Sequence, residues 1–115
     1  MEKRGCRKEV EEAKRFVRDN YGEKLSVAQV AGIINMSESR FAHVFKKETG
    51  ISFWEYVNQI RMNEAEKLLR ETDLRVSEIA ERIGMDNPNY FSARFKERKG
   101  IGPLEYRNQE GNRSL

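Results

Sequence analysis

The 115-residue sequence holds one cysteine, one histidine and two prolines. With Cys6 alone, no intrachain disulfide can form; this fits a reducing compartment, and a cytoplasmic location is the expectation. One His and one Cys provide no metal-ligand cluster, and the chain has neither a Gly-rich phosphate loop nor a nucleophile–base pair. No catalytic residue, metal or cofactor is therefore expected, and the chain reads as a non-enzyme. No apolar run approaches the roughly 18 residues of a spanning helix, and Met1 to Lys8 lack the apolar stretch of a signal peptide. Neither sign of charge dominates: 22 Lys and Arg stand against 19 Asp and Glu, a formal +3. So modest an excess does not by itself mark a nucleic-acid binder, and the placement of the charge matters more. With 37% hydrophobic and 36% charged residues, the core must be thin and the surface heavily charged. The length suits one domain, or two small lobes sharing a core.

What the chain does have is an internal duplication. Residues Leu25 to Tyr56 recur, altered, as Leu74 to Tyr106. Leu25/Leu74, Val27/Val76, Val30/Ile79, Ala31/Ala80, Ile34/Ile83 and Met36/Met85 match at an offset of 49. From Phe41/Phe91 through Phe45/Phe95, Lys46/Lys96, Gly50/Gly100 and Tyr56/Tyr106 the offset is 50, one extra residue falling between Asp86 and Asn89. Each copy carries two short helical patterns joined by a tight turn, the layout of a helix-turn-helix.

Capping chemistry marks the elements. Val10, Ala13, Val17 and Tyr21 trace one face of a first helix closing near Gly22. Ser26 with Gln29 reads as a capping box opening a helix that turns Val30, Ala31 and Ile34 inward. Asn35 and Gly84 occupy the same place in the two copies, and both residues tolerate the left-handed backbone that ends a helix. Ser37 is the expected N-cap of the next helix and Gly50 its terminator; in the second copy Asn87, followed by Pro88, and Gly100 fill those roles. Ser52 and Glu55 form another capping box, with Ile51 and Tyr56 as a hydrophobic staple. Phe53, Tyr56, Val57, Ile60, Ala65, Leu68 and Leu69 then read as one apolar stripe along a helix of roughly 18 residues, about 27 Å long. A last helix starts near Pro103. The fold class is all-α, about seven helices. Residues 1–8 and 108–115 read as aperiodic, flexible tails around a domain at 9–107, divided into a first lobe (9–51), a linking helix (52–71) and a second lobe (72–107).

Helical spacing assigns the outward faces. With Phe41, Val44 and Phe45 inward, the opposite strip is Ser39, Ala42, His43 and Lys46; with Phe91 and Phe95 inward, it is Asn89, Ser92, Ala93 and Lys96. Small side chains allow close approach to a major groove, and Ser, Asn and His can hydrogen-bond base edges. A polar helix face is ordinarily no more than a solvated one; the duplication is what favours a groove. Segment 37–50 has three cations against two acids and segment 86–100 has four against two, net +1 and +2. Trp54 reads as a packing residue and Cys6 as an incidental thiol in a tail.

These residues resemble the DNA-binding domain of the AraC/XylS family of bacterial transcription regulators over roughly Val10 to Arg107. The likeness is carried by Leu25-Ser26-Val27, Met36-Ser37, Arg40-Phe41, Phe45-Lys46-Lys47-Glu48-Thr49-Gly50, Ile60-Arg61 and Leu68-Leu69. In the second copy it rests on Ile79-Ala80, Ile83-Gly84, Asn89-Tyr90-Phe91, Phe95-Lys96, Gly100-Ile101 and Pro103-Leu104-Glu105-Tyr106-Arg107. The resemblance implies two helix-turn-helix lobes joined by a long helix, each lobe's second helix reading adjacent major-groove segments of an asymmetric operator. Ser39, Ala42, His43, Asn89, Ser92 and Ala93 are then the base-reading candidates. Ser37, Arg40, Lys46, Lys47, Asn87, Arg94 and Lys96 are the phosphate-contact candidates. Ala93 stands where relatives often place an arginine, and Gly102 replaces the usual Ser or Thr cap.

The implied partners are a double-stranded DNA operator, RNA polymerase, and a sensory or receiver domain that the chain itself does not contain. The chain reads either as a piece of a longer regulator, which the abrupt start ahead of the first helix favours, or as a stand-alone member of the family, monomeric in isolation and nucleoid-associated in a bacterial cytoplasm. The competing reading is a helical protein-interaction module, whose binding should survive excess duplex DNA.

Overall fold

A computed structural model describes residues 2–114, with side chains placed for residues 6–110. Seven helices and no strand are found among the described residues: α1 (Glu2–Asn20), α2 (Val27–Ile33), α3 (Glu38–Thr49), α4 (Phe53–Glu71), α5 (Val76–Arg82), α6 (Pro88–Lys99) and α7 (Pro103–Ser114). They fall into two compact units, Met1–Ile60 and Arg61–Leu115, so the division lies within α4. Residues 2–8 and 108–114, which the sequence pattern left aperiodic, are helical. Cys6 explains part of this at the front end: it packs against the core of the first unit instead of trailing in solvent.

In the first unit, Val10, Ala13 and Val17 of α1 meet Val30, Ala31, Phe41, Val44, Phe45, Phe53, Tyr56 and Val57 in one buried cluster. Four rings lie at its centre, with Phe41–Phe45, Phe41–Phe53, Phe45–Phe53 and Phe45–Tyr56 centroids 5.7, 5.2, 5.7 and 5.6 Å apart, in tilted and edge-on geometries. Such pairs add about 0.5–1.5 kcal/mol each beyond their burial. Trp54 lies edge-on to Phe53 at 5.3 Å yet remains 42% exposed, so it is a rim residue and not a core one. The Tyr56 hydroxyl accepts a hydrogen bond from Arg18 Nη1 at 3.1 Å. At the end of α1, Asn20 Nδ2 donates to the Phe16 carbonyl at 2.9 Å, closing the helix two residues before Gly22.

The second unit repeats this plan with different residues. Ile79, Ala80, Ile83, Met85, Phe91 and Phe95 are buried, with Phe91–Phe95 and Phe95–Tyr106 rings 5.9 and 5.4 Å apart. The Tyr106 hydroxyl accepts from Arg70 Nη1 at 3.1 Å, as Tyr56 does from Arg18. That parallel extends the duplication to a part the sequence comparison missed. Val10, Ala13, Val17 and Arg18 of α1 correspond at an offset of 52 to Met62, Ala65, Leu69 and Arg70 of α4, and in both sets the three apolar residues are buried. The expected single stripe along α4 is corrected accordingly. At 100° per residue, Met62, Ala65 and Leu69 lie about 160° around the helix from Phe53, Tyr56 and Val57, while Ile60 and Leu68 are only half-buried.

Candidate nucleic-acid interface

Two helix–turn–helix corners present α3 and α6, the candidate reading helices. In the first, Asn35 has φ 60°, its N–H bonds the Gly32 carbonyl at 3.3 Å, and the Met36 N–H bonds the Ala31 carbonyl at 2.9 Å. In the second, Gly84 has φ 90°, its N–H bonds the Glu81 carbonyl at 3.1 Å, and Met85 bonds Ala80 at 2.8 Å. These paired bonds around a left-handed residue are the Schellman arrangement, which satisfies carbonyls left unpaired at a helix end and turns the chain sharply. Gly50 and Gly100, both at φ 86°, end α3 and α6 with N–H bonds to the Lys46 and Lys96 carbonyls.

The expected N-cap side chains are in place, and of the box expected at Ser26 only the serine half is found among the described residues. Ser26 Oγ accepts from Gln29 N at 3.1 Å, Ser37 Oγ from Arg40 N at 3.2 Å, and Ser52 Oγ from Glu55 N at 3.1 Å. Asn87 Oδ1 accepts from both Asn89 N and Tyr90 N, at 2.9 and 3.2 Å. Helix α5 departs from its counterpart, because Arg75 stands at the position of Ser26 and a guanidinium has no acceptor. Its cap runs in one direction only: the Glu78 carboxylate accepts from Arg75 N at 2.8 Å and also pairs with Arg75 Nε at 3.6 Å. The backbone N–H of Arg75, first, then its guanidinium, lower the Glu78 pKa from its ordinary value.

On α3, Ser39, Ala42, His43, Lys46 and Lys47 are all exposed. Ala42, His43, Lys46 and Lys47 line one shallow, open depression of about 400 Å³. Among the described residues neither lysine has an ion-pair partner, so both ammonium groups remain available at the last turn. Arg40, also exposed, extends towards α1 and donates from Nη2 to Cys6 Sγ at 3.6 Å. Ser37 accepts its capping bond through an oxygen lone pair, so its O–H can still donate.

Helix α6 differs. Asn89, Ala93 and Lys96 are exposed, while Ser92 and Arg94 are half-buried. Arg94 pairs with Glu97 at 3.2 Å and lies over the Tyr90 ring, 5.9 Å from its centroid. Lys99 pairs with Glu66 at 3.3 Å and lies over the Tyr106 ring at 5.9 Å. Glu97 is already counted in the net +2 of the second segment, so Glu66 alone offsets it from outside, leaving a net +1 that matches the first segment. The Asn87 oxygen is taken by capping, leaving its NH₂ as the donor it can offer. Tyr90, which the sequence reading passed over, is 53% exposed on this helix. Its place on a flank of the strip follows from helical spacing, but an aromatic at that position reads as readily as core.

The helix-turn-helix domain family matches residues 30–109. The HTH-type transcriptional regulator YisR of Bacillus subtilis (strain 168) is 34% identical over 96 residues, covering 84% of this chain and 33% of its own length. The C-terminal domain of AraT, a response regulator from Geobacillus stearothermophilus, superposes with a TM-score of 0.84 at 36% identity, over 88% of this chain and 84% of that one. The DNA-binding domain of AdpA, a global transcriptional factor solved in complex with a target DNA, gives 0.86 at 26% identity, over 90% and 94% of the two chains. The chain spans about a third of the length of the curated relatives it matches.

Proposed function

Because the chain belongs to the AraC-type helix-turn-helix family, we propose that it binds double-stranded DNA sequence-specifically as the DNA-binding part of a bacterial transcription regulator. In this reading α3 and α6 enter two adjacent major-groove segments, which lie about 34 Å apart along B-DNA. Ser39, Ala42 and His43 read bases through α3; Asn89, Ser92 and Ala93 read them through α6. Ser37, Arg40, Lys46 and Lys47, with Asn87, Arg94 and Lys96, hold phosphates. The observation that carries this is the pair of homologous corners presenting unlike strips, since unlike strips on one chain call for an asymmetric site. Ala93 offers only a methyl group, so its natural partner is the methyl of a thymine. A signal-receiving domain elsewhere in the full regulator and RNA polymerase are the proposed protein partners.

Selection from a random duplex library at about 150 mM salt, followed by titration on the enriched site, tests the reading. Two unlike conserved blocks about one helical turn apart are expected, together with a log–log salt slope of about −5 to −9 for 6–10 phosphate contacts. Binding without enrichment would reduce the chain to a backbone grip. Absence of salt-sensitive binding would transfer the two strips to a protein partner.

A further inference from the structure

We propose that Tyr90 is a specificity-determining residue of the second reading helix, its ring packing against the 5-methyl group of a thymine in the operator. The inference rests on the DNA-binding reading above. Tyr90 is 53% exposed, and the other exposed large hydrophobic residues, Ile33, Trp54 and Leu104, lie off α3 and α6. About half of the Tyr90 surface thus faces water, and burying its apolar part on binding is favourable. At 100° per residue, Tyr90, Arg94 and Glu97 fall within about 60° of one another, on the flank beside Asn89 and Ala93.

Arg94 covers the Tyr90 ring at 5.9 Å and is itself held by Glu97 at 3.2 Å. The guanidinium thus restrains the ring in the free protein, which lowers the side-chain entropy lost on binding. The Tyr90 N–H is already bonded to the Asn87 oxygen at 3.2 Å, which anchors the first turn from which the ring projects. Ala93, one turn further on, is small enough to let that turn approach the groove floor. Phenol and methyl then meet in the manner open to apolar side chains on thymine. At the same positions α3 carries Arg40, Val44 and Lys47, so the contact belongs to the second unit alone.

The test replaces each thymine of the selected operator in turn by uracil, which removes one methyl and keeps every hydrogen-bonding group. The full chain is titrated beside Tyr90→Phe and Tyr90→Ala, with thermal unfolding confirming that both variants fold. For the unaltered chain, uracil at one thymine should weaken binding about fourfold, the equivalent of one buried methyl group. Tyr90→Phe should keep that penalty and Tyr90→Ala should abolish it at that thymine only. The proposal is overturned if Tyr90→Ala retains every uracil penalty, if no thymine shows one, or if the selected operator contains no thymine. Loss of site preference in the unaltered chain with unmodified duplex would instead strike at the DNA-binding reading itself, so the two failures are separable.

Discussion

Phe53 in the first unit is matched by Pro103 in the second, and the two cores differ as a result. Phe45 interlocks with three other rings, whereas among the described residues Phe95 has only Phe91 and Tyr106 as ring neighbours. The second unit adds polar ties in their place. Glu66 accepts from the Tyr106 hydroxyl at 3.5 Å and pairs with Lys99 at 3.3 Å. Arg107 donates to the Leu69 and Thr72 carbonyls, both at 3.0 Å, at the end of α4. Its counterpart fifty residues earlier is the apolar, buried Val57. A duplicated scaffold has thus kept its backbone devices, the Schellman corners and left-handed glycine ends, while core and surface charge diverged.

The largest effect that would sharpen this comparison is in the cores. Phe45→Ala and Phe95→Ala should each cost about 3–5 kcal/mol. The first should lose more, because it removes three ring contacts against two. Urea unfolding of the two variants measures this, and equal losses would show that Pro103 and the polar ties restore what the missing ring takes away.

Next come the cations. Lys46→Ala and Lys47→Ala should each flatten the salt slope of DNA binding by about one unit. Arg94→Ala should flatten it by less than half as much, since Arg94 already faces Glu97. Glu97→Gln, by releasing Arg94, should steepen the slope; an unchanged slope would mean that the pair is no obstacle to phosphate.

The corners should respond at about 1 kcal/mol. Gly84→Ala places a side chain at φ 90° and should destabilise by about 1–2 kcal/mol. Asn35→Gly relieves a side chain held at φ 60° and should be close to neutral or slightly stabilising, the loss of Asn rigidity in the unfolded chain offsetting the relief. Thermal unfolding of the pair checks whether the two turns are equivalent in energy as they are in bonding.

The smallest effect separates the α2 and α5 caps. The Glu78 pKa is lowered in the folded chain, so its carboxylate stabilises above the ordinary carboxylate range and that contribution disappears as pH falls through the lowered value. Glu78→Gln should therefore be less stable than the parent chain at neutral pH and indistinguishable from it in acid. A difference that persists in acid would show that the N-cap bond works without the charge.

Much of this was legible in the residues because it depends on local chemistry. A left-handed turn needs Asn or Gly, a free amide at a helix start needs Ser or Asn, and a core face repeats at helical spacing; Asn35, Gly84, Ser37, Asn87 and the buried phenylalanines follow. The kinship of α1 with the second half of α4 was hidden, because the offset changes from 52 to 49 across the intervening loop and only Ala13/Ala65 and Arg18/Arg70 are identical among the four matched positions. Met62 escaped because the apolar spacing of Phe53 to Ile60 was continued past the point where the buried face changes. On α3 and α6, position was legible and availability was not. Glu66 balances Lys99 from another helix, and Cys6 takes a hydrogen bond from Arg40 across 34 residues.

The two arginine–tyrosine hydrogen bonds also bear on how the chain folds. Arg18–Tyr56 spans 38 residues and Arg70–Tyr106 spans 36. Loop-closure entropy grows only with the logarithm of length, so these spans differ in cost by about 0.05 kcal/mol. Both units therefore face nearly the same topological barrier, and because most contacts in this helical chain are nonetheless close in sequence, both belong to the class that folds in microseconds to milliseconds. Any difference in rate between them would measure how early the four-ring cluster condenses relative to its three-ring counterpart. Duplication has built into one short chain a kinetic experiment in which connectivity is nearly constant while core packing, polar ties and caps differ.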